Sequence, residues 1–352
     1  MLRFIWGRVS NMNNPVFILG AGFNRDAKRN VGAPIGHSIY GDYEIQCDYP
    51  LVGDLARLCF GRDLAASESI EELLALSIRE RNFEPLRRVY DALMEADYRI
   101  APRLLPDQGK SPSQINSYGV FFERFNDCCF LTFNYDSLPE LFLLRYGVWD
   151  PRDGYGVPVQ AEPASLMTIE PFRESESTLV LHLHGSLCIY TSSHDLTTEP
   201  GSSIRWLVKK KAASYIFDPD SISSLFFPFG RMLPQATGYV PLEDRVIAPT
   251  PDKTDNLRTN FIQAVHCRAK EILASSQRVI VIGYRFNELD RSSYDHLLLA
   301  FAESKEPVAV LVSPDAEILR THLSGRYPRI QWVAQPRSFE QWVQAGFPGV
   351  TQ

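Results

Sequence analysis

Three short polar motifs stand directly after apolar, strand-like runs: Gly20-Ala21-Gly22-Phe23-Asn24, Thr132-Phe133-Asn134-Tyr135-Asp136 and His182-Leu183-His184-Gly185-Ser186. The first would let the backbone turn tightly and bring N–H groups near a phosphate, with the N-terminus of a following helix adding its positive dipole end. A tight structural turn is the competing reading, because the full G-x-G-x-x-G pattern is absent. Asn134 carries two donors and an acceptor, so it can orient a water or hold a ribose hydroxyl; asparagine serves equally as a cap or turn residue. His184 can take a proton from water or a ribose hydroxyl near neutral pH. Strand alternation puts Val180, His182 and His184 on one face. His184 then lies at the strand's end, and His182 one pleat deeper, where a satisfied core histidine is expected.

Further along, Gly283-Tyr284-Arg285-Phe286-Asn287-Glu288-Leu289-Asp290 joins a strand to a helix, and Ser313-Pro314-Asp315 repeats the arrangement one strand later. Gly283 would permit close approach of a ligand, and Asn287 or Asp290 could cap the helix. Gly283, Tyr284, Asn287 and Ser313 would suit the adenosine half of a dinucleotide. Ordinary strand-to-helix loop chemistry accounts for each of them singly.

The elements that must position these residues follow from periodicity. Strands are expected at 15–19, 128–133, 178–184, 246–248, 278–283, 308–312 and 330–333. Helices are expected at about 139–146, 256–274, 291–301, 316–323 and 338–345. Asp136 or Ser137 can cap the 139–146 helix, and Pro139 fits its first turn. Strands alternating with helices imply an α/β fold, a Rossmann-like parallel sheet with helices on both faces. In such a sheet the strand ends face a common crevice where ligands bind. Residues 37–120 show no clear strand but carry apolar residues at helical spacing, notably in 67–81 and 84–98; they read as a helical insertion module. Residues 188–245, rich in Ser, Pro, Thr and aromatics, read as an irregular insertion. The expected division is an N-terminal extension at 1–15 and one nucleotide-binding domain at 16–352.

Composition excludes several classes. Of 352 residues, 45% are hydrophobic and 22% charged, ordinary globular usage rather than that of a disordered chain. Lys+Arg is 36 and Asp+Glu 42, a net charge of −6, which argues against general or sequence-specific nucleic-acid binding. Lys209-Lys210-Lys211 is the sole basic run and reads as a solvated loop. Apolar runs fall well short of the ~20 residues that cross a bilayer. The first residues lack a signal-peptide pattern, so a cytoplasmic location is expected. The cysteines at 47, 59, 128, 129, 188 and 267 make no C-x-x-C pair, so neither zinc nor another metal is expected. Cys128 and Cys129 read as small buried hydrophobes.

Taken in order, these residues resemble the sirtuin-like family of bacterial NAD hydrolases found in anti-phage defence. The likeness runs from Gly20-Ala-Gly-Phe-Asn24 through Phe133-Asn-Tyr-Asp136, Leu183-His-Gly-Ser186 and Ile247-Ala-Pro-Thr-Pro-Asp-Lys253 to Ile282-Gly-Tyr-Arg-Phe-Asn-Glu-Leu-Asp290. It implies NAD as substrate with no further cofactor, and Asn134 and His184 as the catalytic pair. It implies Gly20, Ala21, Gly22 and Asn24 as the phosphate and ribose loop, with Asp136 orienting Asn134 or the ribose. Asn24 stands where a serine is common, and 26–34 looks longer than usual. A free NAD hydrolase would poison its cell, so gating by a partner encoded nearby, a homo-oligomer or a phage component is expected, and the family suggests an Argonaute or a HerA-like ATPase as the partner. Protein deacylation is the enzymatic alternative, set back by the missing Cys-x-x-Cys ligands. A non-enzymatic sensor of NAD or ADP-ribose, or an assembly scaffold, is the alternative outside catalysis.

Overall fold

The computed structural model describes residues 14–25, 27, 37–40, 43–46, 49, 52–65, 68–80, 82, 84–85, 88–89, 93, 116–149, 154–156, 159–163, 178–186, 189–192, 213–217, 239–241 and 260–350. In chain order the elements are β1 (Val16–Leu19), α1 (Ala21–Asn24), β2 (His37–Tyr40), β3 (Tyr43–Gln46), α2 (Val52–Phe60), α3 (Ile70–Arg79), α4 (Ser117–Arg124), β4 (Cys129–Thr132), α5 (Leu138–Arg145), β5 (Val159–Pro163), β6 (Val180–His182), β7 (Ile189–Ser192), β8 (Ala213–Phe217) and β9 (Tyr239–Pro241). There follow α6 (Asn260–Ser275), β10 (Arg278–Ile282), a 3₁₀ turn (Glu288–Asp290), α7 (Arg291–Ala302), β11 (Val308–Val312), α8 (Ala316–Arg326), β12 (Gln331–Gln335) and α9 (Phe339–Gln344).

The main sheet has six strands in the order β12-β11-β10-β1-β4-β6, and every pairing is parallel. β1 and β4 are buried along their whole length, as contiguous apolar strands covered on both faces must be. The chain runs outward from β1 through β4 to β6, returns to β10 beside β1, and runs outward the other way. This is the doubly wound order in which the topological switch falls between the first and fourth strands, here β1 and β10. The α/β expectation holds.

Aromatic packing fixes the helices on the sheet. Phe17 of β1 meets Phe121 edge-on at 5.0 Å, and Phe121 meets Phe339 of α9 at 5.4 Å. Asn116 caps α4 by accepting from Gly119 N–H, and Ser338 with Gln341 forms a capping box on α9. The buried face of α4 belongs to this core, so the helical module ends before it.

The inserted stretches differ from expectation. The 37–120 stretch opens with an antiparallel hairpin, β2–β3, rather than a helix. Beyond it, α2 and α3 share a small separate core of Ala56, Leu58, Cys59, Ile70, Leu74 and Val89. The second helix read there, 84–98, lies largely outside the described residues. The 188–245 stretch, read as an irregular insertion, contributes β7, β8 and β9, which join β5 in a four-stranded sheet, β5-β8-β7-β9. The third main strand is also shorter than 178–184. Gly185, at φ +85, turns the chain and donates its N–H to His182 O, which ends the ladder early. The 246–248 strand, residues 247–253 of the resemblance, most of the N-terminal extension and Lys209–Lys211 lie outside the described residues.

Candidate active site at the strand ends

The floor of the crevice is a contact between two glycine loops at the switch point. A Cβ on Gly20 would stand 2.6 Å from Tyr284 Cα, and one on Gly22 2.7 Å from Gly283 Cα. Gly283 adopts φ +64, and a side chain there would run into the Gly22 main chain. The N–H groups of the loop turn inward: Gly20 donates to Ile282 O (3.0 Å), Gly22 to Gly283 O (2.9 Å) and Phe23 to Gly20 O (2.8 Å). Gly283 N–H donates to Val312 O (3.0 Å). Two of these donors knit the β1 loop to β10, the third closes the β1 loop on itself and the fourth ties the end of β10 to β11, which is the geometry of a tight turn. Ala21, between the two glycines, is exposed. α1 spans only four residues, too short for a strong dipole.

Across β1, the end of β4 delivers Asn134. Its main-chain N–H donates to Thr132 Oγ1 (3.0 Å), and its Nδ2 donates to Gly20 O (3.2 Å) and Asn24 Oδ1 (3.4 Å). Asn24 is buried and in turn donates Nδ2 to Asp136 Oδ2 at 2.6 Å. Asp136 Oδ1 accepts from Leu138 N–H at 3.1 Å, so Asp136 caps the entry to α5. Burial pushes the Asp136 carboxyl up to about 6, against the Asn24 amide and Leu138 N–H, which favour its charge. The order of donors is forced from one end. A carboxylate only accepts, so Asn24 turns its nitrogen to Asp136 and its oxygen to Asn134. Asn134 must then turn its nitrogen inward. Its Oδ1, on a half-buried residue, has no partner among the described residues.

His184 is buried against the two residues that flank Asn134 in sequence. Its ring meets Phe133 edge-on at 5.0 Å and Tyr135 at 6.2 Å, and its Nε2 lies 3.8 Å from Asp290 Oδ1. Tyr284 donates to the other Asp290 oxygen (3.2 Å) and stacks on Phe133 at 3.9 Å and 1°. This stack joins the ends of β4 and β10 over the side-chain-free end of β1. Leu183, next to His184, is held from outside the sheet: His266 of α6 donates Nε2–H to Leu183 O at 2.8 Å and pairs with His296 Nε2 at 3.1 Å. Burial lowers His266 to about 4, with the Leu183 carbonyl opposing and His296 reinforcing the shift. The ring is neutral at pH 7.

His182 is fully buried, in a pair that the sequence does not reveal. Its Nδ1 lies 3.0 Å from Asn134 O and its Nε2 2.6 Å from Glu140 Oε1. Burial disfavours its charge, but Glu140, Asp136 and the Asn134 carbonyl together raise its pKa.

The remaining sequence candidates sit further along the crevice in capping positions. Asn287 is exposed and accepts from Leu289 N–H (3.2 Å). Ser313 is buried, and its Oγ accepts from Asp315 N–H (3.3 Å) at the start of α8. Cys128 and Cys129 are buried, and burial pushes both thiols up, which makes them poor nucleophiles. Sequence reasoning missed Glu140, His266 and the Asn24–Asp136 bond. Glu140 reads only as a helix-start charge, and His266 as one polar residue on an amphipathic helix.

No protein-family model and no curated protein matches the chain. Among solved structures, one described as "Sir2-p53 peptide-NAD+" is similar, at 12% identity and a TM-score of 0.35, over 94% of this chain and 91% of that one. The fold class rests on the strand order itself. Among the described residues no helix is long and apolar enough to cross a membrane, and no group of three metal-ligating side chains converges.

Proposed function

We propose that the chain is an NAD hydrolase, releasing nicotinamide and ADP-ribose at the strand ends around β1. The observation that carries this reading is Asn134: a half-buried amide at the end of β4, bonded to the Gly20 carbonyl of β1 beside the switch point, its nitrogen tied inward, its acceptor oxygen left for a ligand donor. A ribose hydroxyl or a water O–H fits that acceptor. The ordered set of motifs that resembles the sirtuin-like defence hydrolases supports the choice of NAD. Gly20, Ala21, Gly22, Gly283, Tyr284, Asn287 and Ser313 line the path along which the dinucleotide would lie. The inward-turned N–H groups of the glycine loop leave its role there as close approach rather than a row of donors.

In the reaction, the bond from ribose C1′ to the nicotinamide nitrogen breaks, and its electron pair leaves with nicotinamide. The sugar passes through an oxocarbenium-like state. Asn134 Oδ1 accepts from the ribose hydroxyl or from the attacking water. His184 takes the proton that water loses as its oxygen bonds C1′, and Asp290 lies close enough to steady the resulting imidazolium. Asp136 is buried and acts on Asn134 through Asn24 rather than on the ribose. A free NAD hydrolase would poison its cell, so activity is gated; the resemblance points to an oligomer or a partner such as an Argonaute or HerA-like ATPase. The setting is the cytoplasm.

His184→Ala is expected to fold, to bind NAD, and to lose ~10²–10⁴-fold in nicotinamide release. A His184→Ala protein working at the parental rate would remove His184 from the mechanism.

A further inference from the structure

The main chain of Asn134 is held by a device that the reaction scheme above does not use. His182 and Glu140 are both fully excluded from water. His182 Nδ1 lies 3.0 Å from Asn134 O, and its Nε2 2.6 Å from Glu140 Oε1. A carbonyl only accepts, so Nδ1 carries a hydrogen for Asn134 O, while Nε2 is engaged by Glu140. Neither ring nitrogen is left free to act as a base. Nor can the ring rotate without losing both bonds. Glu140 lies in the first turn of α5, so the helix fixes where its carboxyl meets the ring.

We propose that Glu140 and His182 are a positioning pair that locks the Asn134 main chain so that its side-chain oxygen meets the ligand in register; this rests on the role assigned to Asn134 above.

Stability alone does not account for the pair. Burying two ionisable groups is costly, and well-packed apolar residues of similar volume are commonly as stable or more so. The neighbourhood would suit such residues, for Tyr155 packs on His182 at 5.8 Å and Trp149 on Tyr155 at 5.2 Å. Apolar side chains could fill the space but could not donate to Asn134 O. The two clamps are complementary: Asp136 and Asn24 set which way the amide faces, while Glu140 and His182 set where its backbone stands.

The test compares parent, Glu140→Leu/His182→Leu, Glu140→Gln and Asn134→Ala. Each is measured for thermal unfolding, for kcat and KM of nicotinamide release, and for NAD affinity by calorimetry. The double variant is expected to unfold cooperatively near the parental temperature and to lose ~10- to 100-fold in kcat, as sub-ångström misplacement does, with KM changed less. Glu140→Gln keeps the shape and a hydrogen bond but frees the ring from its charge, and is expected to lose several-fold in kcat. A folded double variant with parental kcat overturns the proposal. If the double variant does not fold, Glu140→Gln decides, and parental kcat there overturns it. If Asn134→Ala keeps the parental rate, it is the assignment of Asn134 that fails. If the parent releases no nicotinamide, the pair is judged by NAD affinity, with about tenfold weakening supporting it and an unchanged value overturning it.

Discussion

At the residue scale, the site is built from the polarity of hydrogen bonds rather than from reactive groups. The Asp136 carboxylate can only accept, and through Asn24 this joins the Gly20 carbonyl in turning the Asn134 nitrogen inward and its oxygen outward. Asp136→Asn removes the constraint that comes through Asn24 and leaves only the Gly20 carbonyl. The new amide can offer its nitrogen to Asn24, which then turns its own nitrogen toward Asn134 and draws the Asn134 oxygen inward. Nicotinamide release is expected to fall on the order of 10²-fold, with a much smaller change in melting temperature. Equal rates for parent and variant would show that the chain of amides does not set the acceptor. Asn134 and His184 are legible in the sequence because each directly follows a buried strand, where an open parallel sheet places its ligands. Asn24 and Asp136 are legible as polar residues but not as a pair, since 112 positions separate them.

At the element scale, two contacts hold the crevice. One is the glycine contact between the β1 and β10 loops. Gly283→Ala combines a positive φ with a collision against Gly22, and is expected to cost more than ~1 kcal/mol in urea unfolding. A neutral result would mean that the loops separate freely. The other is His266, which ties α6 to the turn that carries His184. Its pKa is about 4 in the fold against 6.5 for the free group. Between those values the unfolded chain binds more protons, so its contribution is present above pH 6.5 and is lost as pH falls. At pH 5 the loss is about 2 kcal/mol. Asp136 runs the other way: its raised value means that the folded chain binds more protons between 3.8 and about 6, so acidification favours it there. His266→Gln removes the first effect and leaves the second. Going from pH 7 to pH 5, the variant is expected to gain about 2 kcal/mol relative to the parent. Parallel unfolding at both pH values would contradict a neutral, buried His266. The contiguous apolar strands, such as β11 at Val308–Val312, lie where periodicity puts them. The β2–β3 hairpin does not, although Gly41-Asp42 between two short runs is a hairpin signal. β7 and β8 were hidden because short polar and aromatic strands in a Ser-rich stretch lack an apolar run.

At the scale of the whole molecule, a doubly wound sheet brings four strand-end segments, from residues 20, 134, 184 and 283, to one place. The first insertion stands apart from this frame in its core: α2 and α3 pack on each other through Ala56, Leu74 and their neighbours. An enzyme that consumes NAD needs restraint from outside its catalytic frame, and the proposed gating places that restraint in assembly or in a partner. The most direct measurement is nicotinamide release from NAD by the purified chain, alone and with the products of neighbouring genes, beside Asn134→Ala. The account predicts release by the parent in at least one of these conditions and its loss in the variant. NAD binding with no release in any condition, or equal release by parent and Asn134→Ala, would contradict it.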